Sequence, residues 1–110
     1  RLQEFVVGQD RRLISITTLG AAHFSELAHA RAIQYEQHAP GLVLLNVVMD
    51  VPLTESQRAS IQRAVREKTQ GSCDVEVREV TEIPRTGRGK HKMMVQHLDI
   101  GGYLGASAND

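Results

Sequence analysis

A nearly continuous apolar run, LVLLNVVM at residues 42–49, limits most strongly how this chain can fold. A strand with apolar side chains on both faces must be covered on both sides, so it belongs inside a sheet. The turn sequence His38-Ala39-Pro40-Gly41 precedes this run, and residues 31–37 before it alternate between apolar and polar. We therefore predict two antiparallel strands joined by a turn, with the second strand central in its sheet.

The clearest helix signal follows this strand. Thr54-Glu55-Ser56-Gln57 has the form of a capping box, in which the Thr54 oxygen accepts a free backbone amide and Gln57 bonds back to another. Side chains at helical spacing come next: Ile61, Ala64, Val65 and Lys68. Gly71 is placed to end the helix in the left-handed conformation. The pattern predicts one amphipathic helix between residues 54 and 71.

Shorter segments complete the predicted order. They are a hairpin of strands at 4–8 and 12–17 around Gly8-Gln9-Asp10-Arg11, a short helix at HFSELA (23–28), a half-buried strand at 73–78, a last strand at MMVQHLDI (93–100) and a flexible tail at 101–110. This order predicts an α+β domain over residues 1–100, with a small antiparallel sheet and two helices in a ferredoxin-like arrangement, preceded by a β-hairpin.

Composition excludes several classes of protein. The 110 residues suffice for one domain, and thirteen basic residues balance thirteen acidic ones, so no global field draws the chain to nucleic acid or membrane. One cysteine, Cys73, allows no intrachain disulfide, and no apolar run is long enough to span a membrane. We expect a cytoplasmic protein. Because the first residue is not Met, we also expect a piece of a longer chain.

The only dense basic cluster is at residues 85–92, RTGRGKHK, directly after Pro84. Glycine allows the backbone to approach an anion closely, and Lys90 adds a compact charge on a long stem. These features indicate phosphate handling. A Walker-type phosphate loop is excluded, because Pro84 and His91 occupy positions where that motif has Gly and Ser or Thr.

The spacing of Pro84, Thr86, Gly89 and Lys90 resembles the closing motif of the adenylate-forming enzymes, which include acyl-CoA synthetases and adenylation domains. The opening RLQEFVVGQDRRLIS and the segments AIQYEQ and GLVLLNVV are similar, more specifically, to the end of phenylacetate-CoA ligase and of CapK-type capsular polysaccharide enzymes. The resemblance covers residues 1–100. It implies the mobile C-terminal domain of an ATP-dependent, AMP-forming enzyme that activates a carboxylic acid.

The resemblance also implies roles for individual residues. Lys90 would be the catalytic lysine, contacting the attacking carboxylate and the α-phosphate of ATP. The loop would be shaped by Pro84, Thr86, Gly87 and Gly89. Pyrophosphate would be attracted by Arg85, Arg88 and Lys92. The hinge would include Arg1 and either Gln3 or Glu4.

The same resemblance implies ATP with Mg²⁺ as cofactor and an N-terminal adenylating domain of the same chain as partner. The isolated chain would then be inactive. The identity of the activated carboxylic acid stays open. The acceptor, which is coenzyme A, a sugar or a carrier protein, stays open as well. Only Gly8 remains of the second, glycine-rich loop that many acyl-CoA ligases use, so coenzyme A is not assured. Neither nucleic acid nor a membrane span is expected.

Two alternatives belong to other classes of protein. One is a ferredoxin-like module whose basic loop binds nucleic acid or another anion, although two Phe and two Tyr leave few rings to stack on bases. The other is a regulatory or oligomerisation domain. No metal site is predicted, because none of the five histidines pairs at i,i+4 spacing or groups with Cys73. Cys73 itself is expected in the core.

Overall fold

The computed structural model describes residues 5–20, 24–83 and 94–102. Its strands are β1 (Phe5–Val7), β2 (Leu13–Ser15), β3 (Ala30–Ala39), β4 (Leu42–Met49), β5 (Asp74–Glu79) and β6 (Met94–Gln96). Its helices are α1 (Ile16–Leu19), a 3-10 helix (Ser25–Leu27) and α2 (Glu55–Lys68), and residues 100–102 are also helical. The predicted α+β class is confirmed.

Two sheets organise these elements. β1 and β2 form the predicted antiparallel hairpin, in which Val6 lies opposite Ile14. The second sheet has the order β5-β4-β3-β6, so β4 is an inner strand as its apolar sequence predicts. β3 and β4 are antiparallel, also as predicted, with Tyr35 opposite Leu45.

The outer pairs of the larger sheet are parallel and correct the expectation of an antiparallel sheet. β5 runs parallel to β4, with Val43 opposite Val75, because the chain crosses back through α2 before it forms β5. β6 runs parallel to β3, with Tyr35 opposite Met94. The sheet is therefore mixed, and the strands on either side of α2 are direct neighbours.

Helix α2 begins and ends as its sequence predicts. The Thr54 oxygen accepts a hydrogen bond from Gln57 N at 3.1 Å, and Gln57 Oε1 accepts one from Thr54 N at 2.9 Å. At the other end Gly71 has φ +81° and donates its N–H to the Arg66 carbonyl at 2.8 Å. Ile61 and Val65 are fully buried against the sheet. The capping box thus fixes the start of an amphipathic helix.

The core lies on the face of the larger sheet that α2 covers. Its fully buried side chains include Val6, Leu19, Tyr35, Val43, Leu45, Val47, Ile61, Val65 and Cys73. On the opposite face of β4, Leu42 is 41% exposed and Leu44 is half-buried. Only one face of β4 is therefore completely covered, unlike the two expected from its sequence.

Three short segments differ from their predicted bounds. β2 ends at Ser15, because the Ser15 side chain accepts a hydrogen bond from Thr17 N at 3.3 Å and starts α1. The segment HFSELA contributes a 3-10 helix, and β6 ends at Gln96. Gly101 and Gly102 continue a helical turn, while the rest of the predicted tail, 103–110, lies outside the described residues.

A buried glutamine joins the hairpin to the larger sheet. The Gln37 side chain is fully buried; its Oε1 accepts a hydrogen bond from Val7 N at 2.8 Å, and its Nε2 donates to Val7 O at 2.8 Å. Gln96 extends the connection, since its Nε2 donates to Gln37 Oε1 at 2.8 Å and to Phe5 O at 2.9 Å. The amide of Gln37 therefore pairs with Val7 as a neighbouring strand would.

None of the helices in the described ranges is both long and apolar enough to cross a lipid bilayer.

Candidate functional site

The residues of the predicted loop site lie outside the part of the chain that the structure describes. These are the catalytic Lys90, the loop-shaping Pro84, Thr86, Gly87 and Gly89, and the phosphate-attracting Arg85, Arg88 and Lys92. The hinge residues Arg1, Gln3 and Glu4 also lie outside it. The roles of these residues stay predictions.

The positions on either side of residues 84–93 are described, and both are buried. Ile83 is 6% exposed and Met94 is 4% exposed. Met94 begins β6 and lies opposite Tyr35 of β3. Before Ile83, Val80 donates its N–H to the Val47 carbonyl at 2.8 Å. The ten-residue segment that contains Lys90 is therefore preceded by a buried residue and followed by the first residue of β6.

A polar cluster lies on the face of the larger sheet opposite α2, where β3, β4 and β5 each contribute one side chain. Glu36 Oε1 accepts hydrogen bonds from Asn46 Nδ2 at 3.1 Å and from Arg78 Nη2 at 3.0 Å. Arg78 Nε also donates to Asn46 Oδ1 at 2.9 Å. The three strands bring these residues together because Asn46 on β4 lies opposite Arg78 on β5, and Glu36 on β3 lies opposite Leu44, two residues before Asn46 on β4.

Two histidines contact the second oxygen of the same carboxylate. His38 Nε2 and His97 Nε2 each lie 2.9 Å from Glu36 Oε2. The two rings are stacked, with centroids 3.9 Å apart and planes inclined by 11°. His97 is held beside β3 by its backbone N–H, which donates to the Gln37 carbonyl at 3.0 Å. We call Glu36, His38 and His97 the Glu-His-His cluster.

The electrostatics of this cluster keep Glu36 ionised. Partial burial by itself raises the pKa of the carboxyl, but hydrogen bonds from His97, Asn46 and His38 outweigh it, so the pKa lies below its ordinary value. The Glu36 side chain is 20% exposed, whereas His38 and His97 are 55% and 43% exposed. The cluster is thus a carboxylate with two imidazoles at the surface, open to solvent on the histidine side.

The ligand atoms of the Glu-His-His cluster all lie within 4.8 Å of one another, close enough for one metal ion. No pattern in the sequence predicts this arrangement. Neither helical spacing nor a nearby cysteine marks these histidines, because His38 and His97 are 59 positions apart and meet only through the pairing of β6 with β3. Alternation places Glu36 and His38 on one face of β3, but only the pairing of strands adds His97.

Two further sequence predictions concern residues that the structure describes. Cys73 is fully buried, as expected for a core residue, and burial is the main cause that raises the pKa of its thiol to about 11, with Asp10 and Asp74 adding to it. Such a thiol is a poor nucleophile. Residues 8–11 form the expected hairpin turn, in which Arg11 N donates to the Gly8 carbonyl at 2.9 Å.

No protein-family model matches the chain, and the comparison with curated proteins finds no match.

Proposed function

We propose that this chain is the mobile C-terminal domain of an ATP-dependent, AMP-forming enzyme that activates a carboxylic acid, similar to phenylacetate-CoA ligase or a CapK-type protein. The observation that carries the proposal is the spacing of Pro84, Thr86, Gly89 and Lys90 in the basic segment. The burial of Ile83 and Met94 supports it, because a segment held at both ends can present a lysine while the sheet stays intact.

The length of the segment suits this role. Ten residues separate Ile83 from Met94, so each arm of a loop has about five residues and extends at most about 17 Å at roughly 3.3 Å per residue. Lys90 adds its own long side chain to that distance. A lysine on such a loop can enter a pocket of another domain without any change in the core of its own.

The charge of Lys90 would stabilise the transition state of acyl-adenylate formation. In acyl-adenylate formation a carboxylate attacks the α-phosphorus of ATP, so negative groups are brought together while pyrophosphate leaves. A cation that contacts both reacting groups stabilises the transition state more than the ground state. Mg²⁺ on the phosphates supplies further positive charge. Arg85, Arg88 and Lys92 add longer-range attraction for pyrophosphate.

The remaining parts of the proposal concern the rest of the enzyme. An N-terminal adenylating domain supplies the ATP and carboxylate pockets, and Arg1, Gln3 and Glu4 lie at the hinge between the two domains. The activated acyl group passes to coenzyme A, a sugar or a carrier protein, with capsular polysaccharide synthesis as one setting. The enzyme is cytoplasmic, and this chain alone has no adenylation activity.

The test is Lys90→Ala in the protein that contains both domains. We expect pyrophosphate release to fall about 10²- to 10³-fold, the usual loss for one preorganised contact to developing charge. Transfer from a supplied acyl-adenylate should be retained, because the lysine acts only in the first half-reaction. Lys92→Ala is the matched control, since it removes an equal charge from the same segment and should change pyrophosphate release by much less.

Unimpaired pyrophosphate release by the Lys90→Ala protein would show that the assignment of Lys90 is wrong. Equal losses in Lys90→Ala and Lys92→Ala would argue instead for a general anion-binding loop.

A further inference from the structure

We propose that the Glu-His-His cluster, Glu36, His38 and His97, is a binding site for one divalent transition-metal ion, with Zn²⁺ as the best fit. The site is separate from Lys90 and its segment, because Glu36 and His38 lie on β3 and His97 directly follows β6. The site lies at the far end of β6 from residues 84–93, which precede that strand.

The donor set selects the class of metal. Two of the three ligands are imidazole nitrogens and one is a carboxylate oxygen. Imidazole suits zinc, copper and nickel, whereas magnesium and calcium prefer sites made of oxygen atoms alone. Two histidines with one carboxylate and an open fourth position is a known zinc donor set. The exposed histidine side of the cluster leaves room for a water molecule as the fourth ligand.

The distances require little movement for metal binding. Bonds of about 2.0–2.1 Å in tetrahedral geometry place neighbouring ligand atoms roughly 3.3 Å apart. Each Nε2 now lies 2.9 Å from Glu36 Oε2, so the atoms need to separate by only a few tenths of an ångström. The rings must also tilt out of their 11° stack, because one ion cannot lie in two parallel ring planes. Both histidines are about half exposed, so this tilt disturbs no buried packing.

The surroundings of Glu36 hold its free oxygen towards the histidines. Arg78 and Asn46 both bond to Oε1, which leaves Oε2 for the two imidazoles. Hydrogen bonds of this kind to a ligand carboxylate fix its orientation and contribute to metal affinity. The charge of Arg78 opposes a nearby cation, but it is held on the oxygen that does not face the histidines.

The test is calorimetric titration of the 110-residue chain with ZnCl₂ at pH 7.5. We expect one Zn²⁺ per chain, and at least about tenfold weaker binding in His38→Ala and in His97→Ala, since even residues that only support a ligand contribute that much. The matched control is His29→Ala, which removes an exposed histidine outside the cluster and should bind like the original chain. Binding that is unchanged in both cluster variants, or no binding at all, would overturn the proposal.

Nitrogen-edited NMR of the unsubstituted chain tests the site without any variant. On addition of one equivalent of Zn²⁺ the imidazole signals of His38 and His97 should shift and that of His29 should not. The tilt of the rings should also remove the ring-current effect of each imidazole on the other. Zinc-dependent shifts at the other histidines, with His38 and His97 unchanged, would refute the site even if the alanine variants failed to fold.

Discussion

Replacing Gln37 by Leu should weaken the attachment of the hairpin to the larger sheet. It should lower the free energy of unfolding more than a substitution at an exposed residue does. Gln37 Oε1 accepts from Val7 N, and its Nε2 donates to Val7 O and, at 3.0 Å, to Ala39 O. Leucine has a similar volume but none of these groups. The substitution therefore removes the polar link between β1 and β3 while it leaves the space filled.

The magnitude follows from which groups lose their partners. Val7 is fully buried, so its N–H is left without a hydrogen bond at a cost of about 1–3 kcal/mol. Val7 O keeps a partner, because Gly41 N also donates to it at 2.8 Å. The lost bond to Ala39 adds about 1 kcal/mol. We expect the free energy of unfolding to fall by about 2–4 kcal/mol in total.

Urea unfolding followed by circular dichroism measures this change. Gln62→Leu is the matched control, since Gln62 is exposed on α2 and its substitution should stay within about 0.5 kcal/mol. If Gln37→Leu and Gln62→Leu unfold at the same urea concentration, the side chain of Gln37 does not hold the two sheets together and the reasoning fails.

Two further predictions concern other buried positions. Tyr35 is 1% exposed and its hydroxyl has no hydrogen-bond partner among the described residues, so Tyr35→Phe should raise the free energy of unfolding by about 1 kcal/mol; a loss in urea unfolding would reveal a partner. A Cβ on Gly8 would clash with Ser72 Oγ, so Gly8→Ala should destabilise by about 1–3 kcal/mol, and less in a Ser72→Ala background. Equal losses in the two backgrounds would show that the Ser72 hydroxyl is not the obstacle.

Local sequence signals predicted the elements well where one physical cause dominated. The capping box at Thr54 and Gln57 fixed the start of α2, and the apolar sequence of β4 correctly indicated an inner strand. The parallel pairing of β5 and β6 was not visible in the same way, because alternation along a strand is equal for either direction of its neighbour. The predicted strand 12–17 is too long at its end because Ile16 and Thr17 are β-prone, whereas the Ser15 side chain caps α1 and ends the strand there.

The two candidate sites differ in the same way. A motif such as that ending in Lys90 is local, so the sequence alone can suggest it. The Glu-His-His cluster depends on the pairing of β3 with β6, and no spacing between His38 and His97 could have indicated it. Sites made from strands distant in sequence become recognisable only when the register of the sheet is known.

The hydrogen bond from Gln96 to Phe5 has a consequence for how the molecule folds. It joins positions 91 residues apart, and the pairing of Tyr35 with Met94 closes another long stretch of chain. Such distant contacts are slow to form, because much of the chain must be ordered before they contribute. We therefore expect β6 to dock late, after the β3–β4 pair and α2. Until it docks, the hairpin lacks its full attachment, and an intermediate without β6 would leave an unpaired edge on β3.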